Sequence, residues 1–202
     1  MKKSILTLSF ITACVFAYAQ PTVTLLTFGG YTFKDQIDFS EGYGEIGDGF
    51  QWGGGFEIGL SDENAFEIIY QRMDPTTYVQ GPLGERRYGE VGINYIMVGG
   101  TRYAPLNDKL AGFGTVDAGV GFLSPKETGY DGVTKFAWGL RLGLRIMASE
   151  KVSVRIHGQL MSPVQGAGGG FYFGTGGTGA GVSTYSTIYQ FNLGGSLNFR
   201  LK

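Results

Sequence analysis

Residues 134–160, TKFAWGLRLGLRIMASEKVSVRIHGQL, alternate apolar and polar side chains with a period of two. Phe136, Trp138, Leu140, Leu142, Leu144 and Ile146 share one parity, with Lys135, Arg141 and Arg145 on the other. After the polar break at 148–151, Val152, Val154 and Ile156 stand against Ser153, Arg155, His157 and Gln159. Successive side chains of a strand point to opposite faces, so each run predicts a strand with one apolar and one polar face.

The same alternation predicts strands over 22–33, 50–60, 65–73, 90–103, 111–123, 133–147, 152–161 and 189–201. In the last, Tyr189, Phe191, Leu193, Leu197 and Phe199 alternate with Gln190, Asn192, Ser196, Asn198 and Arg200. The first is blurred by its Leu25-Leu26 and Gly29-Gly30 pairs, which predict a bulge. No sustained 3.6-residue stripe competes with these runs. The connections alternate in length: SDEN (61–64), APLND (104–108) and ASEK (148–151) are tight polar turns, and 34–49, 74–89, 124–132 and 162–186 are long. The resulting plan is four hairpins with both chain ends on the short-turn side.

Composition supports strands over helices, because 36 of the 202 residues are glycine and each interior glycine costs a helix about 1 kcal/mol relative to alanine. At the N-terminus, Lys2 and Lys3 precede an apolar run ending in Ala17-Tyr18-Ala19, which reads as a secretory signal over 1–19 and leaves one domain over 20–202. A second reading takes Ile11-Thr12-Ala13-Cys14 as a lipoprotein cleavage site with Cys14 lipidated. Cys14 is the only cysteine, so no disulfide framework is expected. The 16 basic and 17 acidic residues leave no basic patch for nucleic acid. No later segment approaches 18 uninterrupted apolar residues, which argues against helical membrane spans.

This pattern resembles the eight-stranded outer-membrane β-barrels of Gram-negative bacteria, the group that includes the OmpA transmembrane domain, OmpX-like proteins and opacity-type surface antigens. The resemblance implies an all-β chain, an antiparallel up-and-down transmembrane barrel with short periplasmic turns and long extracellular loops, located in the cell outer membrane. It implies contact with outer-membrane lipid and lipopolysaccharide, and with other envelope proteins. The ending Phe199-Arg200-Leu201-Lys202 departs from the terminal aromatic of many members.

Strand length agrees with a bilayer: about ten residues at 3.4 Å, tilted about 45°, cover roughly 24 Å of membrane normal. Arg72, Arg102, Arg141, Arg145, Arg155 and Arg200 lie within predicted strands, whereas Lys34, Lys109, Lys126 and Lys151 lie in turns and loops. An enclosed polar lumen favours arginine, whose planar fork holds carboxylates bidentately. The expected partners are Glu57, Glu67, Glu90 and Asp117, and the inward set adds Gln71, Asn94, His157, Gln159, Gln190 and Asn192. Inward glycines such as Gly53, Gly55, Gly119, Gly121, Gly139 and Gly143 are expected to free luminal volume. Phe50, Trp52, Phe136, Trp138, Tyr185, Tyr189, Tyr31 and Phe33 would form an aromatic girdle at the long-loop rim, with Tyr103 and Phe66 near the short turns. The contrasting arrangement is a secreted lipocalin-like barrel, with an apolar cavity and a polar exterior.

Candidate chemistry is sparse. His157 is the only histidine and lacks a serine two residues on, so it reads as a luminal side chain rather than a catalyst. EGYGEIGDG (41–49) reads as a solvated acidic loop without the spacing of a calcium loop. GAGGGFYFGTGGTGAG (166–181) has no Gly-Lys-Ser/Thr for phosphate; it is either a flexible surface loop or an extension of strands seven and eight past the membrane. No catalytic, cofactor or metal residue is assigned. The expected role is a non-enzymatic outer-membrane barrel with surface loops for envelope or external partners. A narrow channel or small hydrophobic-compound transporter of the OmpW kind is the alternative, and a lipid-modifying enzyme the third reading.

Overall fold

The computed structural model describes residues 22–39, 42–80, 86–126, 132–163, 170–174, 177–181 and 188–201. The signal reading of 1–19, Cys14, Glu41 and Tyr185 lie outside the described residues. Thirteen strands are described: β1 Val23–Thr32, β2 Asp35–Phe39, β3 Gly42–Ile46, β4 Gly49–Gly59, β5 Asn64–Met73, β6 Thr76–Gln80, β7 Arg86–Asn107, β8 Leu110–Pro125, β9 Val133–Met147, β10 Val152–Pro163, β11 Gly170–Gly174, β12 Gly177–Gly181 and β13 Gln190–Arg200.

Eight of them close on themselves in the order β1-β4-β5-β7-β8-β9-β10-β13, with β13 returning to β1 and every pairing antiparallel. Closure leaves the barrel without a free edge, the one arrangement of strands that satisfies its backbone inside lipid. These eight are the predicted strands. The expected bulge in the first is not formed: β1 keeps continuous register with β13 through Gly29↔Gly195 and Gly30↔Gly194, and with β4 throughout.

The short turns are held locally. Ser61 Oγ accepts from the backbone N–H of Asn64 at 3.1 Å, and Ser149 Oγ accepts from Val152 N–H at 3.1 Å. The third is tighter than the predicted APLND turn: β7 runs to Asn107, whose Oδ1 accepts from Lys109 and Leu110 N–H at 2.9 Å each, with a register irregularity between Pro105 and Asn107. At the other end, two segments expected as long loops form strands: β2 pairs with β3, β3 with β6, and β6 with the start of β7, so the sheet continues past the barrel rim. Of the segment expected as a solvated acidic loop, 42–46 form β3, with Ile46 buried and Glu45 beside Lys34 at 3.4 Å, while Asp48 is exposed. Within 166–181, β11 and β12 pair with each other as a separate two-stranded sheet and not with β10 or β13.

Candidate functional site

The two parities separate by exposure as a membrane barrel requires. Along β9, Leu142 is 57% exposed while its neighbour Arg141 is 0% exposed. Phe50, Phe56, Ile68, Val116, Ile156 and Leu193 are also exposed, and Glu57, Glu67, Asp117, Arg155, His157 and Gln159 are buried. A lipocalin-like barrel would show the reverse, so that alternative is overturned. Tyr31, Phe33, Phe50, Trp52, Phe136 and Tyr189 are exposed around the long-loop end, where Tyr31 meets Phe33 edge-on and Phe33 stacks on Phe191.

The interior is built in two layers. Toward the short turns lies a charged one. Arg141 Nη2 contacts Glu67 Oε1 at 2.8 Å and Asp117 Oδ2 at 3.0 Å, and Arg155 contacts Glu57 and Glu67. Tyr103 donates its hydroxyl to Glu57 Oε2 at 2.6 Å, and Thr101 donates to Glu67 Oε2 at 3.2 Å. Arg141 lies over the Phe28 ring at 4.9 Å, and Arg155 over Phe113 at 5.2 Å. These groups can be buried because each acid meets an arginine; removing one partner from such a pair costs about 3–5 kcal/mol.

Toward the long loops the interior is apolar, which the alternation did not predict. Ile69, Met73, Ile93, Tyr95, Met97, Leu123 and Met161 pack there, Ile46 from β3 and Ile188 from just before β13 join them, and the same cluster reaches down to Leu26 and Phe28 beside the charged layer. Between the layers Gln71 and Gln159 bond reciprocally across the lumen at 3.1 and 2.7 Å, and within the apolar one Tyr95 donates to Gln190 Oε1 at 2.7 Å. Leu26 and Phe28 are thus inward, and Thr27 takes the outward place and donates to the Leu197 carbonyl at 2.8 Å.

Several expected positions are corrected. Arg102 is outside, its side chain 79% exposed near Glu63 at 3.7 Å. Tyr103 is inside, buried on the lumen's charged layer rather than in a girdle. Asn94 shares the outward parity of Ile96 and is covered by Tyr70, which donates to its Oδ1 at 2.8 Å. Arg72 is outward too, in a fork to Asp74 at 2.9 and 2.7 Å, and Glu90 meets Lys126 at 3.1 Å rather than a luminal arginine. Near strand ends, an outward side chain meets the polar interface instead of hydrocarbon, so polarity no longer reports parity.

Of the inward glycines only Gly139 leaves ordinary room for a Cβ, with its nearest neighbours at 3.5 Å; Gly53, Gly55, Gly119 and Gly143 do not free space. A Cβ on Gly53 would lie 2.1 Å from the Tyr70 carbonyl oxygen, and one on Gly143 2.1 Å from that of Ile156. At these positions the neighbouring strand's backbone occupies the place of a side chain, which is how glycine admits close backbone approach. His157 packs edge-on between Phe28 and Phe113 at 6.3 and 6.4 Å, without a hydrogen-bond partner at Nδ1. Among the described residues no three His, Asp or Glu side chains gather as metal ligands.

No family model matches the chain, and no curated protein matches it in sequence. Solved structures do match in shape. Neisserial surface protein A superposes with a TM-score of 0.60 at 8% identity, over 89% of this chain and 97% of that one. The outer membrane protein OprG from Pseudomonas aeruginosa superposes with a TM-score of 0.55 at 12% identity, over 89% and 97%. The fold is that of the eight-stranded outer-membrane β-barrels.

Proposed function

We propose that the protein works in the outer membrane, after loss of residues 1–19, as a non-enzymatic barrel whose projecting strands contact envelope or external partners. One observation carries the reading. The lumen is filled by its own side chains, with Arg141 and Glu67 0% exposed and Ile46 and Ile188 packed into its far end. An eight-stranded barrel has an interior just wide enough for side chains to fill. What remains free to act is the rim, where β2, β3 and β6 carry the sheet outward. The lipid-facing band is in contact with outer-membrane lipid, and the rim stands at the level of the lipopolysaccharide headgroups. A photo-crosslinker at Lys34, between β1 and the projecting β2, should yield a discrete adduct in intact cells, and one at Lys109, in a short turn at the opposite end, none. The same outcome at both positions would defeat the reading.

The apolar long-loop layer supports a second reading, a conduit for small hydrophobic compounds. Uptake of an apolar fluorophore by vesicles containing the barrel, abolished by Met97→Arg, would favour that role over surface contact.

A further inference from the structure

Arg145 and Arg155 are direct cross-strand partners on β9 and β10, and both point inward. Like charges placed opposite each other repel, and the two guanidinium groups share one aromatic ring, lying 4.4 and 5.4 Å from the centre of Tyr103. Their surroundings differ. Arg155 is neutralised by Glu57 and Glu67. Arg145 has no ion pair among the described residues, and its Nε is buried without a hydrogen-bond partner.

Beside Arg145 the barrel opens at its short-turn end into a cavity of about 180 Å³. That is several times the roughly 30 Å³ share of one water. Thr24, Ser153, Tyr103 and Arg200 line it with Arg145. Three acids face the same space. Glu57 is held by Arg155 and the Tyr103 hydroxyl. Asp62 and Glu150 stand in exposed turns, where Lys151 and Arg200 line the mouth with them. The inner end of the cavity is therefore left with one cation whose contacts are incomplete. Ser153 accepts from Asn198 at 3.4 Å and keeps its own hydroxyl hydrogen to donate.

We propose that this mouth binds a small oxyanion, a carboxylate or a phosphate, on the guanidinium of Arg145. The planar fork of arginine matches either group. Ser153 supplies a further donor, and the entry faces the compartment on the short-turn side. The site is independent of the surface-contact role, which concerns the opposite end of the barrel.

Folded, full-length barrel in detergent micelles should be titrated calorimetrically with inorganic phosphate, acetate, the dipeptide Ala-Ala and Ala-Ala amide. Saturable binding of phosphate or acetate, weakened about tenfold or more by Arg145→Met and unchanged by Arg102→Met, is the expected result. Tighter binding of Ala-Ala than of its amide would support the site and assign it to a peptide carboxylate; phosphate alone would support it and assign it to a free anion. No saturable binding by any oxyanion, or equal binding by Arg145→Met, overturns the proposal. Should Arg145→Met fail to assemble, side-chain Nε–H signals of the wild-type barrel decide it. The Arg145 resonance must shift on adding phosphate, and a shift confined to Arg102 or Arg72 overturns the site.

Discussion

Leu142 and Arg141 are neighbours on β9, yet one faces lipid and the other bridges Glu67 and Asp117 at 2.8 and 3.0 Å inside the barrel. Both Leu142→Arg and Arg141→Leu should destabilise the protein, by different mechanisms. Leu142→Arg places a cation in mid-bilayer at a cost of about 2–4 kcal/mol. Arg141→Leu strands Asp117 and leaves Glu67 with Arg155 alone, at about 3–5 kcal/mol. Combining Arg141→Leu with Glu67→Gln and Asp117→Asn should recover most of the stability, and adding the same two changes to Leu142→Arg should not. Urea unfolding in lipid vesicles measures both.

Gly143→Ala should destabilise by about 1–3 kcal/mol, since the added methyl meets the Ile156 carbonyl oxygen at 2.1 Å and His157 Cα at 2.8 Å. Gly100→Ala is the control: nothing lies within 4 Å of its would-be Cβ, and its stability should stay within about 0.5 kcal/mol of wild type. Equal losses at the two positions would show that backbone approach is not what requires glycine at 143.

Tyr103→Phe keeps the ring under Arg145 and Arg155 but removes the hydroxyl that Glu57 accepts. A loss of about 1–3 kcal/mol is expected, because the lost bond is to a charged acceptor. Glu57→Gln in the same background should be less damaging than in wild type, which a double-mutant cycle reads directly.

The strands and most of the interior could be read from the chain because hydrocarbon outside and ion pairs inside impose opposite chemistry at mid-strand. That is why 133–147, 152–161 and 189–201 match β9, β10 and β13 to within two residues, and why Glu57, Glu67 and Asp117 were identifiable as arginine partners. The rule weakens where either side changes its solvent. Toward the long loops the lumen itself is apolar, so Met73, Ile93 and Leu123 carry no contrast with the lipid face, and Leu26 and Phe28 carry none beside the charged layer. At strand ends the outside is wet, which admits Arg72, Asn94 and Arg102 there. The β2, β3 and β6 strands were hidden because each is five residues long, too short for alternation to stand out from its polar surroundings, and they pair with one another and with the start of β7.

Asp74, just past the end of β5, is held below the usual carboxylate range, chiefly by its hydrogen bonds from Arg72 and further by Lys126. An acid depressed in the folded state stabilises it above the unfolded value, and that contribution fades as pH falls through the lowered pKa. The Asp74 carboxyl should therefore titrate below 3.8 by NMR, and Asp74→Asn should flatten the acid limb of stability. A midpoint at or above that value would contradict the fork.

Single-channel recording in planar bilayers tests the filled lumen most directly. With Arg141, Glu67 and Arg155 closing the charged layer and Ile46 and Ile188 closing the apolar one, purified folded barrel should give no stable, large conductance steps. Deleting 166–181 should not create them, since the luminal side chains are the barrier. Reproducible steps of porin size from the intact protein would contradict the sealed interior and the surface role built on it.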